Sequence, residues 1–237
     1  MPRANRVFIP GVVWHITHRC HKREFLLKFR RDRKRWLHWL FEARKRYRLT
    51  VLNYSVTCNH IHLLVLDERA GAVSKSVQLA AGRTAQEYNL RKDRKGAFWE
   101  DRYHATAIDT GEYLARCLAY IDTNMVRAGA VTHPEQWETG GYRELQNQPK
   151  RYRLIDIERL MQLLNIGSYG EFQKLHRRWI REALNEGEDG ADLKRYSDGI
   201  AFGSREFVEY VIKKLGIAPK RRKKRPDILQ HHDAYWV

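Results

Sequence analysis

The sequence predicts an α+β fold, an antiparallel sheet with helices packed on one face, followed by a helical C-terminal extension. Two observations lead to this prediction. Up to about residue 130, segments with the two-residue period of strands and segments with helical period follow one another in the order βαββαβα. After the turn-rich stretch from Gln146 to Lys150, only helical periodicity recurs, around residues 154–165, 168–185 and 204–215. We therefore expect a catalytic or binding domain at 1–148 and a helical region with a basic tail at 149–237.

Each element has its own local signal. The first strand, residues 12–19, is entered through the turn formers Pro10 and Gly11. The first helix, 31–47, carries apolar residues such as Trp36 and Leu40 at helical spacing, with basic residues on its remaining surface. Two alternating segments, 49–57 and 61–66, predict an antiparallel hairpin.

The second half of this domain follows the same logic. Residues 74–90 carry a stripe of small and apolar residues that predicts a second helix, and residues 103–108 suggest a strand. The third helix is expected over 110–127, because Thr110 can cap its N-terminus and Gly129 lies just past its end.

The charge of the chain is strongly positive. Its 45 Lys and Arg residues against 28 Asp and Glu residues give a formal net charge of +17, which indicates a polyanionic partner, most commonly nucleic acid. Six consecutive cations, Lys220 to Arg225, form the basic tail. No apolar run of membrane-spanning length and no secretory signal is present. We expect a cytoplasmic bacterial protein with free cysteines, not bound to membranes and associated with the nucleoid when bound to DNA.

The segment from Asn59 to Val65 contains the most informative pattern. Residues two apart in a strand point to the same face, so His60 and His62 would project side by side while Ile61 points into the opposite layer. Two imidazoles at this spacing can share a divalent cation. The same spacing also fits two ordinary polar residues on the solvent face of a strand, so the pattern alone leaves both interpretations open.

A second pattern lies on the predicted third helix. Tyr113, Cys117, Tyr120 and Asn124 fall on one stripe, and Tyr120 has an amide side chain one turn further on. On spacing alone, Tyr120 also fits an aromatic residue at the edge of the core.

Four potential zinc ligands lie close together near the first strand, but their arrangement does not favour a zinc site. His15, His18, Cys20 and His21 are close in sequence, yet alternation in a strand places His15 and His18 on opposite faces. No second ligand pair follows at zinc-finger spacing.

Three motifs in this order resemble the HUH single-tyrosine transposases, most closely the REP-associated tyrosine transposases. They are Pro10–Thr17, Asn59–Val65 and Tyr120–Val131. Met125 stands where the family usually has proline, and Thr57-Cys58 replace a common Met-Pro; neither change removes a chemically active group.

The resemblance covers about residues 8–145 and implies the fold and chemistry of that family. It implies that Tyr120 attacks a DNA phosphodiester to leave a 5′-phosphotyrosine, and that Asn124 joins His60 and His62 as an amide-type ligand of Mg²⁺ or Mn²⁺. The implied activity is a metal-dependent single-stranded DNA endonuclease and strand-transferase acting at hairpin or palindromic repeat DNA.

Two other functions remain open at this point. One is a non-catalytic DNA- or RNA-binding regulator that retains the fold, and the other is a metal-dependent hydrolase that releases both strand ends free. We expect single-stranded or hairpin DNA as the partner of a monomer or homodimer. The candidate phosphate-binding residues are Arg31, Lys34, Arg35, Arg91, Lys92, Arg94, Lys95, Arg102 and Arg127.

Overall fold

The computed structural model describes residues 8–185, 196 and 199–217 and the backbone of 235–236. Its strands are β1 Val13–Arg19, β2 Thr50–Val56, β3 His60–Leu66, β4 His104–Ile108, β5 Ala201–Gly203 and β6 Tyr235–Trp236. Its helices are α1 Arg30–Tyr47, α2 Ala72–Arg91, α3 Glu112–Arg127, α4 Tyr142–Gln146, α5 Ile157–Leu163, α6 Tyr169–Asn185 and α7 Arg205–Leu215. The predicted α+β class is confirmed, and the basic tail lies outside the described residues.

The six strands form one sheet in the order β2-β3-β1-β4-β5-β6. The first four strands in the chain pair antiparallel, as predicted. Strand β5 then adds to β4 in parallel, so the C-terminal region contributes to the sheet as well as packing helices on it. The sequence did not predict β5, because a three-residue strand is too short to show a period.

The helices divide between the two faces of the sheet, which corrects the predicted arrangement on one face. Trp99 stacks on His18 of β1 and donates to the Ala81 carbonyl of α2, so α1 and α2 cover the face that carries His18. Helix α3 covers the opposite face, where Tyr120 lies against His62. Both faces are covered because the strands carry buried residues on both sides.

A buried polar network attaches α6 to α3. The His176 Nε2–H donates to Asp122 Oδ2 over 2.8 Å, and Gln146 Nε2 donates to His176 Nδ1 over 2.8 Å. Asn53 Nδ2 on β2 donates to the other oxygen of Asp122 over 3.1 Å. Each of these buried polar groups has a hydrogen-bond partner. The network links β2 of the sheet, helix α3 and the C-terminal region.

Helix α3 ends as its sequence predicts. Gly129 adopts a φ of 68°, and the Ala130 N–H donates to the Met125 carbonyl over 3.0 Å. This is the left-handed glycine ending that satisfies the last carbonyls of a helix. Met125 thus lies inside a regular last turn, which keeps Asn124 and Arg127 on the helix. None of the helices in the described part of the chain is long and apolar enough to cross a bilayer.

Candidate active site

Three elements bring the predicted site residues together on the face covered by α3. Strand β3 carries His60 and His62, strand β1 carries His15, and α3 carries Tyr120 and Asn124. The ring of Tyr120 lies edge-on to both buried histidines, with centroid separations of 5.6 Å to His62 and 5.8 Å to His15. Register explains the contact between strands, because Thr17 faces His62 and His15 is therefore its diagonal neighbour.

The hydrogen bonds of His60 determine which of its nitrogens carries the proton. Its Nδ1 lies 2.7 Å from Asn59 Oδ1 and 3.0 Å from Thr57 Oγ1. Asn59 uses its Nδ2 to donate to the Arg23 carbonyl, and Thr57 uses its hydroxyl proton to donate to the His60 carbonyl. Both neighbours therefore accept from His60, and the Nδ1–H tautomer leaves its Nε2 without a proton.

The hydrogen bonds of His62 also indicate the Nδ1–H tautomer, through its contact with His15 and the contact of His15 with Tyr196. His15 Nδ1 lies 2.6 Å from the Tyr196 carbonyl, which can only accept, so a neutral His15 carries its proton on Nδ1. His15 Nε2 must then accept from His62 Nδ1, 3.0 Å away. His62 is thus the Nδ1–H tautomer, and its Nε2 is also without a proton.

Burial supports the neutral state of all three imidazoles. It lowers the pKa of His15 from 6.5 to about 4, and it lowers the pKa of His60 to about 4, with Arg19 adding to the effect on His60. Burial also lowers the pKa of His62 well below its usual value, and the neighbouring His60 and His15 act in the same direction. At neutral pH each of these imidazoles can offer a lone pair.

The two unprotonated nitrogens face each other. His60 Nε2 and His62 Nε2 lie 2.9 Å apart, where two lone pairs repel unless a cation lies between them or beside them. Two nitrogen ligands held about 2.1 Å from an octahedral cation, at right angles, are themselves about 3.0 Å apart. The donor chemistry and the separation therefore fit a shared divalent cation.

Asn124 completes the set of candidate ligands. Its Nδ2 lies 3.1 Å from His62 Nε2, one turn of α3 beyond Tyr120. A half-turn of this amide would present its oxygen, the atom that binds hard cations. No group of three or more histidine, cysteine or carboxylate side chains able to hold a metal occurs among the described residues.

Tyr120 is only 6% exposed and has aromatic and cationic neighbours. The ring of Tyr196 stacks on it with a centroid separation of 4.6 Å and an angle of 20°. The Arg127 guanidinium lies over the Tyr120 ring, 4.6 Å from its centroid, and donates to the Tyr120 carbonyl over 2.7 Å. Tyr113, two turns earlier, packs against Phe202 of β5 instead.

The predicted phosphate-binding cations fall into three groups. Three of them form ion pairs: Arg35 with Glu87, Arg91 with Asp32 and Arg94 with Glu24. Arg127 lies at the site, and the others, Arg31, Lys34, Lys92, Lys95 and Arg102, are exposed. The exposed cations can present their charge to a polyanionic ligand.

Sequence analysis missed the roles of His15 and Tyr196. His15 was considered as a zinc ligand and as part of the motif Pro10–Thr17, without a role at the site, and the structure confirms that His15 and His18 lie on opposite faces of β1. The observed register between β1 and β3 places His15 beside His62. Sequence periodicity does not predict the order of strands in the sheet, so this contact could not be predicted. Tyr196 lies 181 residues from His15 in the sequence, and no local sequence pattern predicts a contact between residues so far apart.

Comparisons with known proteins agree with the motifs. Residues 9–124 match the family model described as IS200-like transposase, which confirms the resemblance drawn from the sequence. A solved structure of a REP-associated tyrosine transposase bound to a REP hairpin is 17% identical, covers 66% of this chain and 94% of its own, and has a TM-score of 0.48. A protein of Deinococcus radiodurans R1 that has been assigned as a transposase is 13% identical, covers 45% of this chain and 86% of its own, and has a TM-score of 0.36. No curated protein gave a significant match.

Proposed function

We propose that this chain, whose residues 9–124 match the family model described as IS200-like transposase, is a single-stranded DNA endonuclease and strand-transferase with Tyr120 as its nucleophile. The observation that carries the proposal is the 2.9 Å separation of His60 Nε2 and His62 Nε2 beside the ring of Tyr120, with hydrogen-bond partners that place the proton of each imidazole on Nδ1. A structural histidine pair would share a proton. These two lone pairs face each other, as cation ligands do.

The reaction is a transesterification in which the number of phosphoester bonds is conserved. The Tyr120 hydroxyl oxygen attacks phosphorus and loses its proton to solvent, the bond from phosphorus to the 3′ oxygen breaks, and the leaving 3′ oxygen takes a proton. The products are a 5′-phosphotyrosine and a free 3′-OH. Attack by another 3′-OH reverses the step and rejoins the strand.

His60, His62 and Asn124 would hold the divalent cation, Mg²⁺ or Mn²⁺. Such a cation supplies charge withdrawal from a non-bridging phosphate oxygen, which reduces the repulsion between phosphate and an oxygen nucleophile. The protein would contribute the position of the nucleophile, since the Tyr120 ring lies perpendicular to the His62 ring at a centroid separation of 5.6 Å. Arg127, held over the same ring, would supply a positive charge to a phosphate at Tyr120.

We propose hairpin or palindromic repeat DNA as the substrate. The motif resemblance to REP-associated tyrosine transposases supports this choice, and the net charge of +17 supports a polyanion. The exposed cations Arg31 and Lys34 on α1 and Lys92 and Lys95 after α2 are suited to phosphate contacts. These contacts would position the strand, while base readout would come from other side chains.

The test is a covalent adduct assay with a hairpin-bearing single strand, labelled at the 5′ and 3′ ends in separate reactions, and Mg²⁺ or Mn²⁺. The wild-type protein should give an adduct that survives denaturing electrophoresis, and Tyr120→Phe should abolish it. Tyr113→Phe is the matched control, since Tyr113 lies on the same helix but contacts Phe202, and it should retain the adduct.

Other outcomes distinguish the alternatives. Peptide mapping that located the DNA on a residue other than Tyr120 would overturn the assignment of the nucleophile. Binding with no adduct and no cleavage in either metal would favour a non-catalytic regulator. Cleavage that releases both ends free would indicate a metal-dependent hydrolase.

A further inference from the structure

We propose that His15 is a positioning residue of the metal site, acting through His62, and that the Tyr196 carbonyl fixes His15 in turn. This inference rests on the proposed function of His60 and His62 as metal ligands. His15 is completely buried on β1, and it contacts His62 on the adjacent strand β3.

Without His15, the two ligand histidines could satisfy each other. A neutral His62 with its proton on Nε2 would donate directly to His60 Nε2, 2.9 Å away, and this hydrogen bond would close the site to a cation. The acceptor at His15 Nε2 prevents this by drawing the single proton of His62 to Nδ1. Asn59 and Thr57, in the turn between β2 and β3, do the same for His60, so both candidate ligands are held in the binding-competent tautomer.

The hydrogen bonds from His62 to His15 and from His15 to the Tyr196 carbonyl form a relay, and its direction is set by Tyr196, which lies in the C-terminal region. If His15 were free to change tautomer, its Nε2 could donate to His62 Nδ1 and force the proton of His62 onto Nε2. The Tyr196 carbonyl excludes that state, because a carbonyl cannot donate and holds the His15 proton on Nδ1 over 2.6 Å. The tautomer of a metal ligand is commonly set by the partner of its second nitrogen, and such partners affect metal affinity.

The test uses the full chain and three variants. His15→Leu keeps an apolar side chain of similar bulk but removes the acceptor, whereas His15→Gln keeps an acceptor that can reach His62. His18→Leu is the matched control, because His18 is a buried histidine of the same strand that stacks on Trp99 on the other face. Circular dichroism and thermal unfolding identify any variant that fails to fold.

The first readout needs no metal. Nitrogen-15 histidine NMR of the metal-free protein should report the Nδ1–H tautomer of His62 in the wild type, in His18→Leu and in His15→Gln, and a shift towards the Nε2–H tautomer in His15→Leu. A wild-type His62 with its proton on Nε2, or a tautomer that does not change in folded His15→Leu, would overturn the inference. Should His15→Leu fail to fold, the wild-type spectrum and the retention of Nδ1–H in His15→Gln decide the question.

The second readout is Mn²⁺ affinity, measured by electron paramagnetic resonance without DNA. Loss of the relay should weaken binding by about 10–100-fold in His15→Leu, the range typical for partners of metal-bound histidines, while His15→Gln and His18→Leu stay close to the wild type. Equal affinity in His15→Leu and the wild type would overturn the inference. A wild-type protein that binds no Mn²⁺ would instead count against the proposed function, and the NMR readout would still judge the relay.

Discussion

Acidification should destabilise this protein through His15, because burial lowers the pKa of that imidazole from 6.5 to about 4. Between these pH values the unfolded chain binds more protons than the folded one, so the free energy of unfolding falls as the pH falls. One pKa unit corresponds to about 1.36 kcal/mol, so the full effect is about 3 kcal/mol. About 2 kcal/mol of it should be lost between pH 8 and pH 5.

The comparison of wild type with His15→Gln isolates this contribution. Glutamine does not titrate, whereas other groups with shifted pKa values, such as Asp67, whose pKa burial raises to about 6, remain in both proteins. The wild type should therefore lose about 2 kcal/mol more than the variant from pH 8 to pH 5.

Urea denaturation of the metal-free proteins in chelator measures the difference. With a denaturant dependence of about 2 kcal/mol per molar, the urea midpoint of the wild type should fall by about 1 M more than that of the variant. If the urea midpoints of the two proteins fell equally with pH, His15 would not be held neutral in the folded state. The tautomers assigned to His15 and His62 would then be wrong.

The remaining predictions concern binding, metal and the attachment of the C-terminal region. Affinity for single-stranded DNA should fall steeply with salt, by a log–log slope of about −0.7 per neutralised phosphate, and Lys34→Ala should reduce that slope more than Arg35→Ala, since Arg35 is already paired with Glu87. Chelation should abolish the covalent adduct but leave hairpin binding measurable by fluorescence anisotropy, and an adduct that forms in excess chelator would refute the metal requirement. Gly203→Ala should destabilise the protein by about 1–3 kcal/mol in thermal or urea unfolding, because the added Cβ would lie 2.4 Å from Asp109 Cβ, whereas Gly167→Ala, with open space around it, should not.

Local chemistry made much of the fold predictable. The spacing of apolar residues located the first three helices, and the glycine at position 129 marked the end of the third. The pairing of the segments around β2 and β3 followed from their alternation and the short turn between them. Each of these signals lies within about twenty residues of the element it specifies.

The relations between distant elements were not predictable in the same way. The division of helices between two faces depends on how both sides of each strand are covered, and continuous burial on both sides obscures the two-residue period. For the site, the spacing of His60 and His62 was compatible with a shared cation or with two ordinary polar residues, and the motif resemblance favoured the cation and added roles for Tyr120 and Asn124. The partner of His62 on β1 required the register between strands, which a single sequence does not supply.

The contact between His15 and Tyr196 also bears on the order in which the molecule is synthesised. The chain emerges from the ribosome N-terminus first, at about 5–20 residues per second, and domains generally fold as they emerge. His15, His60, His62 and Tyr120 are then in place many seconds before residue 196, which lies 181 positions after His15. During that interval the sheet can form while the relay lacks its last acceptor and the ring of Tyr120 lacks its stacking partner. The large sequence separation of this one hydrogen bond thus makes completion of the candidate site a late event in the life of each new molecule, after Tyr120 itself has been synthesised.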